Sequence, residues 1–226
     1  MIKACLFDLD GTLIYTLESI RYFMNTTISK RGIRELDEAE TRIFVGRGVR
    51  KLFETTLESR GYDLSDKSTA DMMEEMIVEY NFGYDNDPIY LIEPYEGICD
   101  TVAELSKREM KLAVISNKPD YPTKKIIAHF FGDTFSIVEG GSERMPLKPN
   151  PAWPLDICER LGVLPSEVAY VGDTSTDMKT AKNFGAGVAV GVSWGFRDVT
   201  ELRENGADRI IHHPSEILGI IEELNK

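Results

Sequence analysis

Cysteine and histidine are scarce in this sequence. Its 226 residues include only three cysteines and three histidines. The cysteines, Cys5, Cys99 and Cys158, are odd in number and widely spaced, and no Cys-x-x-Cys occurs. We therefore predict three buried, reduced thiols, as in a protein of the reducing cytoplasm, rather than disulfides. No histidine has a spacing typical of a zinc site or of a Ser-His-Asp relay, so neither kind of centre is expected.

Positively charged residues are outnumbered by acidic ones, and long apolar runs are also lacking. The chain has 26 Lys and Arg residues against 38 Asp and Glu, a formal net charge of -12. Such an acidic chain repels nucleic acid and anionic membranes, so we expect neither as a partner. No apolar stretch reaches the ~18 residues of a membrane span, and charges interrupt the N-terminal apolar run too early for a signal peptide. We expect a cytoplasmic globular protein that is a monomer or a homodimer.

Short apolar runs alternate with amphipathic segments over most of the chain. The runs are rich in Val, Ile and Ala and cover residues 3–9, 111–116, 135–140, 168–172, 186–192 and 209–211. Continuous runs of this kind are typical of parallel strands that are covered on both faces. Helices are predicted between them, over 96–108, 119–130, 151–162, 175–184, 198–205 and 214–224. The alternation predicts a doubly wound, mainly parallel, Rossmann-like α/β sheet, which binds ligands beyond the C-terminal ends of its strands.

The interval from residue 15 to residue 92 breaks this alternation. It contains no convincing strand, and its pattern predicts three or four helices, over 16–31, 38–45, 47–59 and 66–82. The prolines and acids of 85–97 indicate a return linker. We therefore expect an all-helical cap domain, residues 15–92, inserted into an α/β catalytic core of residues 1–14 and 93–226. Its two tethers suit a hinge for a lid.

Two like charges follow the first predicted strand directly. Asp8 and Asp10 lie on the same side of an extended chain, and Gly11 allows a close backbone approach to a ligand. A second Asp-x-Asp, Asp85 and Asp87, has no strand before it and no Gly after it. We interpret the second pair as a solvated turn and the first as part of a site.

A further acidic group follows the run at 168–172. Asp173 comes directly after it, and Asp177 lies four residues later, near a helix start. The alternative interpretation is that Asp173, Thr174 or Ser175 simply caps that helix. Carboxylates that converge from two strand ends would repel each other unless a divalent cation held them. Oxygen ligands without histidine favour Mg²⁺ over zinc.

Two more strand ends carry polar groups. The segment "VISNK" ends with Ser116, Asn117 and Lys118, and Lys148 precedes a helix that begins with proline. A hydroxyl and an ammonium at the same sheet edge could hold a phosphoryl group whose other oxygens meet the metal. Taken alone, Ser116 could be a helix N-cap and Lys148 a surface lysine.

Four segments, "FDLDGTL", "VISNK", "LKPNP" and "VGDTSTD", in this order, resemble the four motifs of the haloacid dehalogenase superfamily. The insertion after the first motif, with "FVGRGVRKLF", and the later "GVSWGF" are similar to its phosphoglycolate phosphatase-like branch, which has a helical C1-type cap. The resemblance spans the whole core. It implies an Mg²⁺-dependent phosphatase acting on a small phosphate ester, with 2-phosphoglycolate as the best single candidate.

The resemblance also implies roles for the acidic residues. Asp8 would be the nucleophile that forms an aspartyl phosphate, and Asp10 the general acid for the leaving oxygen and then the base for water. Asp173 would bind Mg²⁺ together with Asp8 and the backbone carbonyl of Asp10. Asp177 would support the metal site from behind these ligands.

Further residues would bind the substrate. Ser116 and Lys148 are implied to bind the phosphoryl group, with Thr12 and Asn117 beside them. The carboxylate of 2-phosphoglycolate needs a cation from the cap or from loops that face it. The candidates are Arg47, Arg50, Lys51 and Lys118, of which Arg47 and Lys118 are retained as site residues.

The sequence departs from the branch at one place. After "DGTL" the branch usually continues with a hydrophobic residue, an Asp and a Ser or Thr, whereas this chain has Ile14, Tyr15 and Thr16. Because the missing acid lies in the hinge, it concerns cap closure and substrate details more than the chemistry.

Other functions remain open on the sequence alone. A β-phosphoglucomutase-like phosphotransferase would use the same nucleophile, although Thr12 favours hydrolysis because the mutases more often carry an apolar residue there. A pyrophosphatase of the same branch is a further alternative. A receiver-like signalling module would have no use for the helical insertion. A dehalogenase is disfavoured because Asp10 would have no leaving group to protonate, and a dinucleotide enzyme because no Gly-x-Gly-x-x-Gly follows a strand.

Overall fold

A six-stranded parallel sheet forms the centre of the molecule. The structure, a computed structural model, describes residues 1–226. The strands are β1 (Ala4–Phe7), β4 (Lys111–Pro119), β5 (Ile137–Gly141), β6 (Val168–Gly172), β7 (Val188–Val192) and β8 (Arg209–Ile211). Their order in the sheet is β5-β4-β1-β6-β7-β8, and every neighbouring pair is parallel. The prediction of a doubly wound, mainly parallel sheet is therefore confirmed.

Helices cover both faces of this sheet. They are α5 (Ile98–Lys107), α6 (Asp120–Phe131), α7 (Ala152–Leu161), α8 (Ser175–Phe184), α9 (Val199–Glu204) and α10 (Glu216–Leu224). Strand β1 shows why its sequence is continuously apolar: Cys5 and Phe7 enter the core on one face, and Ala4 and Leu6 enter the core on the other. None of the helices is long and apolar enough to cross a membrane.

Four helices lie between β1 and β4 in the chain and pack on one another. They are α1 (Leu17–Ser29), α2 (Glu38–Phe44), α3 (Val49–Ser59) and α4 (Lys67–Asn86). They bury a third apolar cluster of their own, which includes Met24, Phe53 and Tyr80. The cluster also takes in Phe196, which comes from the loop after β7. That residue ties the helical insertion to the sheet.

A short antiparallel ribbon joins the two ends of the insertion, where the sequence predicted no strand. Strand β2 (Ile14–Tyr15) pairs with β3 (Glu93–Pro94), so that Tyr15 lies opposite Glu93. The Tyr15 ring contacts that of Tyr95, with their centroids 6.1 Å apart. The position where the branch usually has an acid is thus occupied by an aromatic contact between the two tethers.

Two further predictions were wrong. Helix α4 continues to Asn86, so Asp85 is helical and half-buried rather than part of a solvated turn, because Tyr80 and Tyr84 extend the buried face of that helix by another turn. Cys5 and Cys158 are buried as predicted, but Cys99 is exposed because it lies on the solvent side of the first turn of α5.

Candidate active site

Three carboxylates converge at the C-terminal edge of the sheet. Asp8 follows β1, Asp173 follows β6, and Asp177 lies in the first turn of α8. All three are buried, and one carboxylate oxygen of each lies within 4.8 Å of the others. Carboxylate oxygens at this spacing could hold a metal ion. The side chain of Asp10 is outside this group of three, so the structure separates the two members of the first Asp-x-Asp.

Lys148 lies beneath these carboxylates. Its ammonium nitrogen is 2.9 Å from Asp8 Oδ1 and 2.8 Å from Asp177 Oδ1. Only 1% of its side chain is exposed, so the alternative of a surface lysine is wrong. Burial alone would lower the pKa of Lys148, but Asp177 and Asp8 raise it well above its usual value. The residue is therefore a fixed positive charge.

The carboxylates have unusual protonation equilibria. Burial is the largest cause that raises the pKa of Asp8 well above its usual value; Asp177 adds to the effect and Lys148 opposes it. Burial, followed by Asp177, raises the pKa of Asp173 to about 7. The Phe196 amide and the Thr12 hydroxyl donate to Asp173 at 2.8 Å and 3.0 Å and partly offset that rise. Ionising these buried carboxylates is therefore energetically costly unless a cation binds beside them.

The side chains at the start of α8 both cap the helix and contact the candidate site. Thr174 is the N-cap of a capping box: its hydroxyl accepts from the Asp177 amide at 3.3 Å, and Asp177 Oδ2 accepts from the Thr174 amide at 3.1 Å. The Thr174 hydroxyl also donates to Asp177 Oδ2 at 2.6 Å. The other oxygen of Asp177 accepts from Lys148 and, at 3.3 Å, from the Tyr170 hydroxyl. The capping interpretation is thus correct for Thr174, while Asp177 also orients Lys148.

Gly11 leaves room for the Asp173 carboxylate. Its φ is +83°, and a Cβ placed there would lie 2.3 Å from Asp173 Oδ2. Gly195 contacts the same carboxylate from the other side, since its Cβ would lie 2.2 Å from Asp173 Cβ. Small residues on both sides therefore fix where Asp173 can be.

Replacing Gly11 by Ala should destabilise the protein more than the same change at Gly32. Gly32 also has a positive φ, +67°, but nothing lies within 4 Å of a Cβ there. Gly32→Ala should cost only the backbone strain, about 1 kcal/mol. Gly11→Ala should cost about 1–3 kcal/mol more, because the Asp173 carboxylate must move. Urea unfolding of both variants measures the difference, and equal costs would show that the contact with Asp173 is unimportant.

The three polar residues at the end of β4 face different neighbours. Ser116 is buried and is not a helix N-cap, since α6 begins at Asp120 with Pro119 as its N-cap residue. Asn117 Oδ1 accepts from the Lys148 amide at 2.9 Å, and its Nδ2 donates to the carbonyl oxygens of Lys148 at 3.2 Å and Gly46 at 3.3 Å. The Asn117 side chain thus holds the Lys148 loop and the insertion against the sheet.

Lys118 is the cation closest to Asp10. Its ammonium lies 3.3 Å from Asp10 Oδ1 and 4.0 Å from the centroid of the Tyr84 ring. Burial alone would lower the pKa of Lys118, but Asp10 and then Tyr84 raise it, so it remains protonated. It is the sequence-predicted cap-facing cation that the structure does bring into the site.

A cavity opens between this sheet edge and the inserted helices. The sheet side supplies Asp8, Asp10, Ser116, Asn117, Lys118, Pro119 and Pro122. The insertion supplies Ile20, Val45, Gly46, Gly48, Val49, Leu52, Tyr80, Asn81, Tyr84 and Asp85. The sheet side thus supplies most of the charged groups of the cavity, and the insertion side is mixed.

The expected cations of the insertion do not line this cavity. Arg47 is exposed and its side chain is not part of the lining. Arg50 pairs with Glu74 and Lys51 with Glu54, both away from the cavity. Lys118 is therefore the one Lys, Arg or His in the lining. Sequence reasoning missed Asn81, Tyr84 and Asp85, whose helical spacing near the end of α4 was the available signal.

The loop after β7 links the carboxylates to the insertion. Its Phe196 donates to Asp173 through the backbone amide and buries its ring among α1–α4. Arg197 donates to the carbonyl oxygens of Ile43 at 3.0 Å and Val45 at 2.9 Å, at the end of α2. This loop contains the end of the "GVSWGF" segment, for which the sequence suggested no role.

Known proteins resemble this chain over nearly its whole length. The family model described as haloacid dehalogenase-like hydrolase matches residues 5–191. A phosphoglycolate phosphatase of Rhodospirillum rubrum is 30% identical over 197 residues, which cover 87% of this chain and 81% of the relative. One of Aquifex aeolicus is 29% identical over 221 residues, 97% of each chain. A crystal structure of a "predicted phosphoglycolate phosphatase" from Haemophilus somnus has a TM-score of 0.89 at 25% identity and covers 97% of this chain and 98% of that one.

Proposed function

The chain belongs to the haloacid dehalogenase-like hydrolases. We propose that it is a phosphatase for a small phosphorylated metabolite and that its reaction proceeds through an aspartyl phosphate. One observation carries the proposal. Asp8 is buried at the end of β1 with the Lys148 ammonium 2.9 Å from it, beside two further carboxylates and at the floor of a cavity. A carboxylate in this position can attack phosphorus because neighbouring positive charge offsets its repulsion of the phosphoryl oxygens.

The two oxygens of Asp8 differ in their contacts. Oδ1 accepts from the Leu9 amide at 2.7 Å and from Lys148, so Oδ2 is the oxygen that would attack phosphorus. The ester bond to the leaving oxygen breaks as the bond from Oδ2 forms. Asp10, at the mouth of the site, would give its proton to the leaving oxygen and later take one from water, which releases phosphate and restores Asp8.

Mg²⁺ fits the carboxylate cluster, because buried carboxylates with raised pKa values need a cation to ionise fully. Asp8, Asp173 and the backbone carbonyl of Asp10 would hold it, with Asp177 behind them. When bound, Mg²⁺ would neutralise charge on the transferring phosphoryl group. Ser116 and Lys148 would hold the phosphoryl oxygens, while Thr12 and Asn117 position Asp173 and the Lys148 loop through the hydrogen bonds described above.

Metal affinity should depend steeply on pH. The folded-state pKa of Asp173, about 7, lies above its ordinary value. Below about pH 7 the residue is therefore increasingly protonated and lost as an anionic ligand, so the Kd for Mg²⁺ should rise about tenfold per pH unit. Because the folded-state pKa of Asp173 is raised, the folded metal-free protein binds more protons than the unfolded chain below about pH 7. The free energy of unfolding of the metal-free protein therefore falls as the pH rises towards 7. Calorimetric titration with Mg²⁺ at about pH 6 and about pH 8 measures the change, and equal affinities would contradict it.

We further propose that residues 15–92 act as the cap and that residues 1–14 and 93–226 form the catalytic core. The separate apolar cluster of α1–α4 and the β2–β3 ribbon at its two tethers support this division. The ribbon, with Tyr15 against Tyr95, is where the cap would pivot.

Phosphate release from a panel of esters tests the proposed function. The panel includes 2-phosphoglycolate, the ester in the names of the relatives, whose carboxylate would have to meet Lys118. It also includes pyrophosphate and a sugar phosphate. Mg²⁺-dependent phosphate release from an ester supports a phosphatase. Release from pyrophosphate alone, or isomerisation of the sugar phosphate without release, would replace this function by the pyrophosphatase or the mutase.

A further inference from the structure

The segment of residues 193–197, which follows β7, is anchored to the core at both ends. At its start, the Ser193 amide donates to the carbonyl oxygen of Ile211 in β8 at 3.0 Å. Directly after it, Asp198 is the N-cap of α9 and accepts from the Glu201 amide at 2.9 Å. The two ends of the 193–197 segment therefore cannot move far from the sheet.

The middle of this segment is held by the inserted helices instead. The Phe196 ring is 4% exposed and packs in the apolar cluster of α1–α4. The Arg197 guanidinium donates to three backbone carbonyl oxygens at the C-terminal end of α2, those of Arg42, Ile43 and Val45. The Arg42 guanidinium donates in return to the carbonyl oxygen of Gly195 at 3.1 Å. Two arginines thus join α2 to the 193–197 segment, one from each side.

Phe196 is therefore attached to both parts of the molecule. Its ring lies among the inserted helices, while its backbone amide donates to Asp173 Oδ2 at 2.8 Å. If the cap pivots away from the sheet edge, Phe196 cannot keep both contacts. One hydrogen bond to Asp173 then opposes a buried aromatic ring and several hydrogen bonds from the Arg197 guanidinium. We therefore expect the middle of the segment to follow the cap.

We propose that Arg197 is a positioning residue for the Mg²⁺ site: by holding α2 against the 193–197 segment, it keeps the Phe196 amide on Asp173 while the cap is closed. This rests on the proposed Mg²⁺ site and on the proposed division into cap and core. A hydrogen-bond partner behind a metal ligand typically contributes about tenfold or more to metal affinity. Closure of the cap therefore strengthens Mg²⁺ binding, and by linkage Mg²⁺ binding favours the closed cap by the same factor.

Calorimetric titration with Mg²⁺ measures this coupling without any turnover. Arg197→Met loses every hydrogen bond from position 197 to α2, so its Kd for Mg²⁺ should rise about tenfold. The loss of these bonds must be distinguished from the loss of the positive charge. Burial raises the pKa of Asp173, and the charge of Arg197 is among the weaker influences that lower it.

Arg197→Lys separates the two effects. The lysine keeps the charge but cannot reproduce the forked hydrogen bonds of a guanidinium to several carbonyl oxygens. Its Kd for Mg²⁺ should therefore rise nearly as much as that of Arg197→Met. Wild-type affinity in Arg197→Lys would overturn the proposal, because the charge of Arg197 would then be sufficient.

Arg60→Met is the matched control. Arg60 also donates to backbone carbonyl oxygens, those of Arg34 and Glu35, each at 3.2 Å, and only 7% of its side chain is exposed. These partners lie within the insertion, so the substitution loosens the inserted helices without touching the 193–197 segment. Its Kd for Mg²⁺ should equal that of the wild type. Equal weakening in Arg60→Met and Arg197→Met would overturn the proposal, because general loosening of the cap would explain both.

Hydrogen exchange at the end of α2 tests the reciprocal effect. The Val45 amide donates to the carbonyl oxygen of Thr41 there, and no residue of α2 is a proposed Mg²⁺ ligand. Saturating Mg²⁺ should slow exchange in peptides that contain the Val45 amide, in the wild type and in Arg60→Met. It should have little effect in Arg197→Met. Exchange that Mg²⁺ leaves unchanged in the wild type would overturn the coupling.

The outcomes separate this inference from the proposed function. If the wild type binds Mg²⁺ and both Arg197 variants bind it equally well, the role of Arg197 is wrong while the metal site and the phosphatase function stand. If the wild type binds no Mg²⁺, the proposed metal site fails and this inference with it. Thermal unfolding of each variant checks that it is folded.

Discussion

Asp8→Asn should abolish phosphate release, with kcat falling by about four orders of magnitude or more. The side chains are the same size, so the fold and the cavity should persist, but an amide oxygen is too poor a nucleophile to displace the alcohol. No other carboxylate can take over. Asp10 points towards Lys118, and Asp173 is held by the Thr12 hydroxyl and the Phe196 amide. Steady-state phosphate release with a good ester measures the loss.

Two results frame this experiment. The control Asp87→Asn removes an exposed acid and should retain full activity. If Asp8→Asn hydrolyses the ester at a rate near that of the wild type, another group attacks phosphorus and the assignment of Asp8 is wrong.

Lys148→Met should have the second largest effect, on stability as well as on rate. Its ammonium is the partner of two buried carboxylates, Asp8 and Asp177. Removing it leaves uncompensated negative charge in the interior, which costs about 3–5 kcal/mol at neutral pH. The loss should shrink as the pH falls, because the carboxylates then take up protons. Without the ammonium to balance phosphoryl charge, kcat should also fall, by about three orders of magnitude.

Lys182→Met is the matched control for this prediction. Lys182 also forms a salt bridge with an aspartate, Asp208, but 48% of the Lys182 side chain and 38% of the Asp208 side chain are exposed to solvent. Solvent-exposed pairs contribute little, so the variant should lose about 1 kcal/mol or less and keep its activity. Denaturant unfolding of both variants over a range of pH is the measurement. Equal stability losses at positions 148 and 182 would contradict the role of Lys148 as a buried counter-charge.

Much of the sheet and of the carboxylate cluster at its edge could be predicted because strong local signals agree with the tertiary structure. The strand Val168–Gly172 and the helix Ser175–Phe184 have the predicted bounds, since a continuous apolar run and a Thr174 capping box mark them. The convergence of Asp8 and Asp173 follows from parallel strands, which bring their C-terminal ends to one edge.

The cavity wall opposite that edge could not be predicted in the same way. Gly83 lies three residues before the end of α4 and is a poor helix former, which made an earlier helix end reasonable. Tertiary packing of Tyr80 and Tyr84 overrides that preference and carries Asp85 into the wall. Sequence also cannot tell which basic side chain enters a cavity, because this depends on how helices rotate against the sheet. The sequence therefore could not show that Lys118 lines this cavity and that Arg47 does not.

Trapping the intermediate tests the central claim most directly. An acyl phosphate on an aspartate is reduced by borohydride to homoserine, whereas a free carboxylate is not. The protein is mixed with ester and Mg²⁺, quenched rapidly in acid, reduced with borohydride and digested for peptide mass spectrometry. The account predicts homoserine at position 8 only when ester is present, and none in Asp8→Asn. Phosphate release by the wild type with Asp8 never converted, or homoserine at another aspartate, would contradict it.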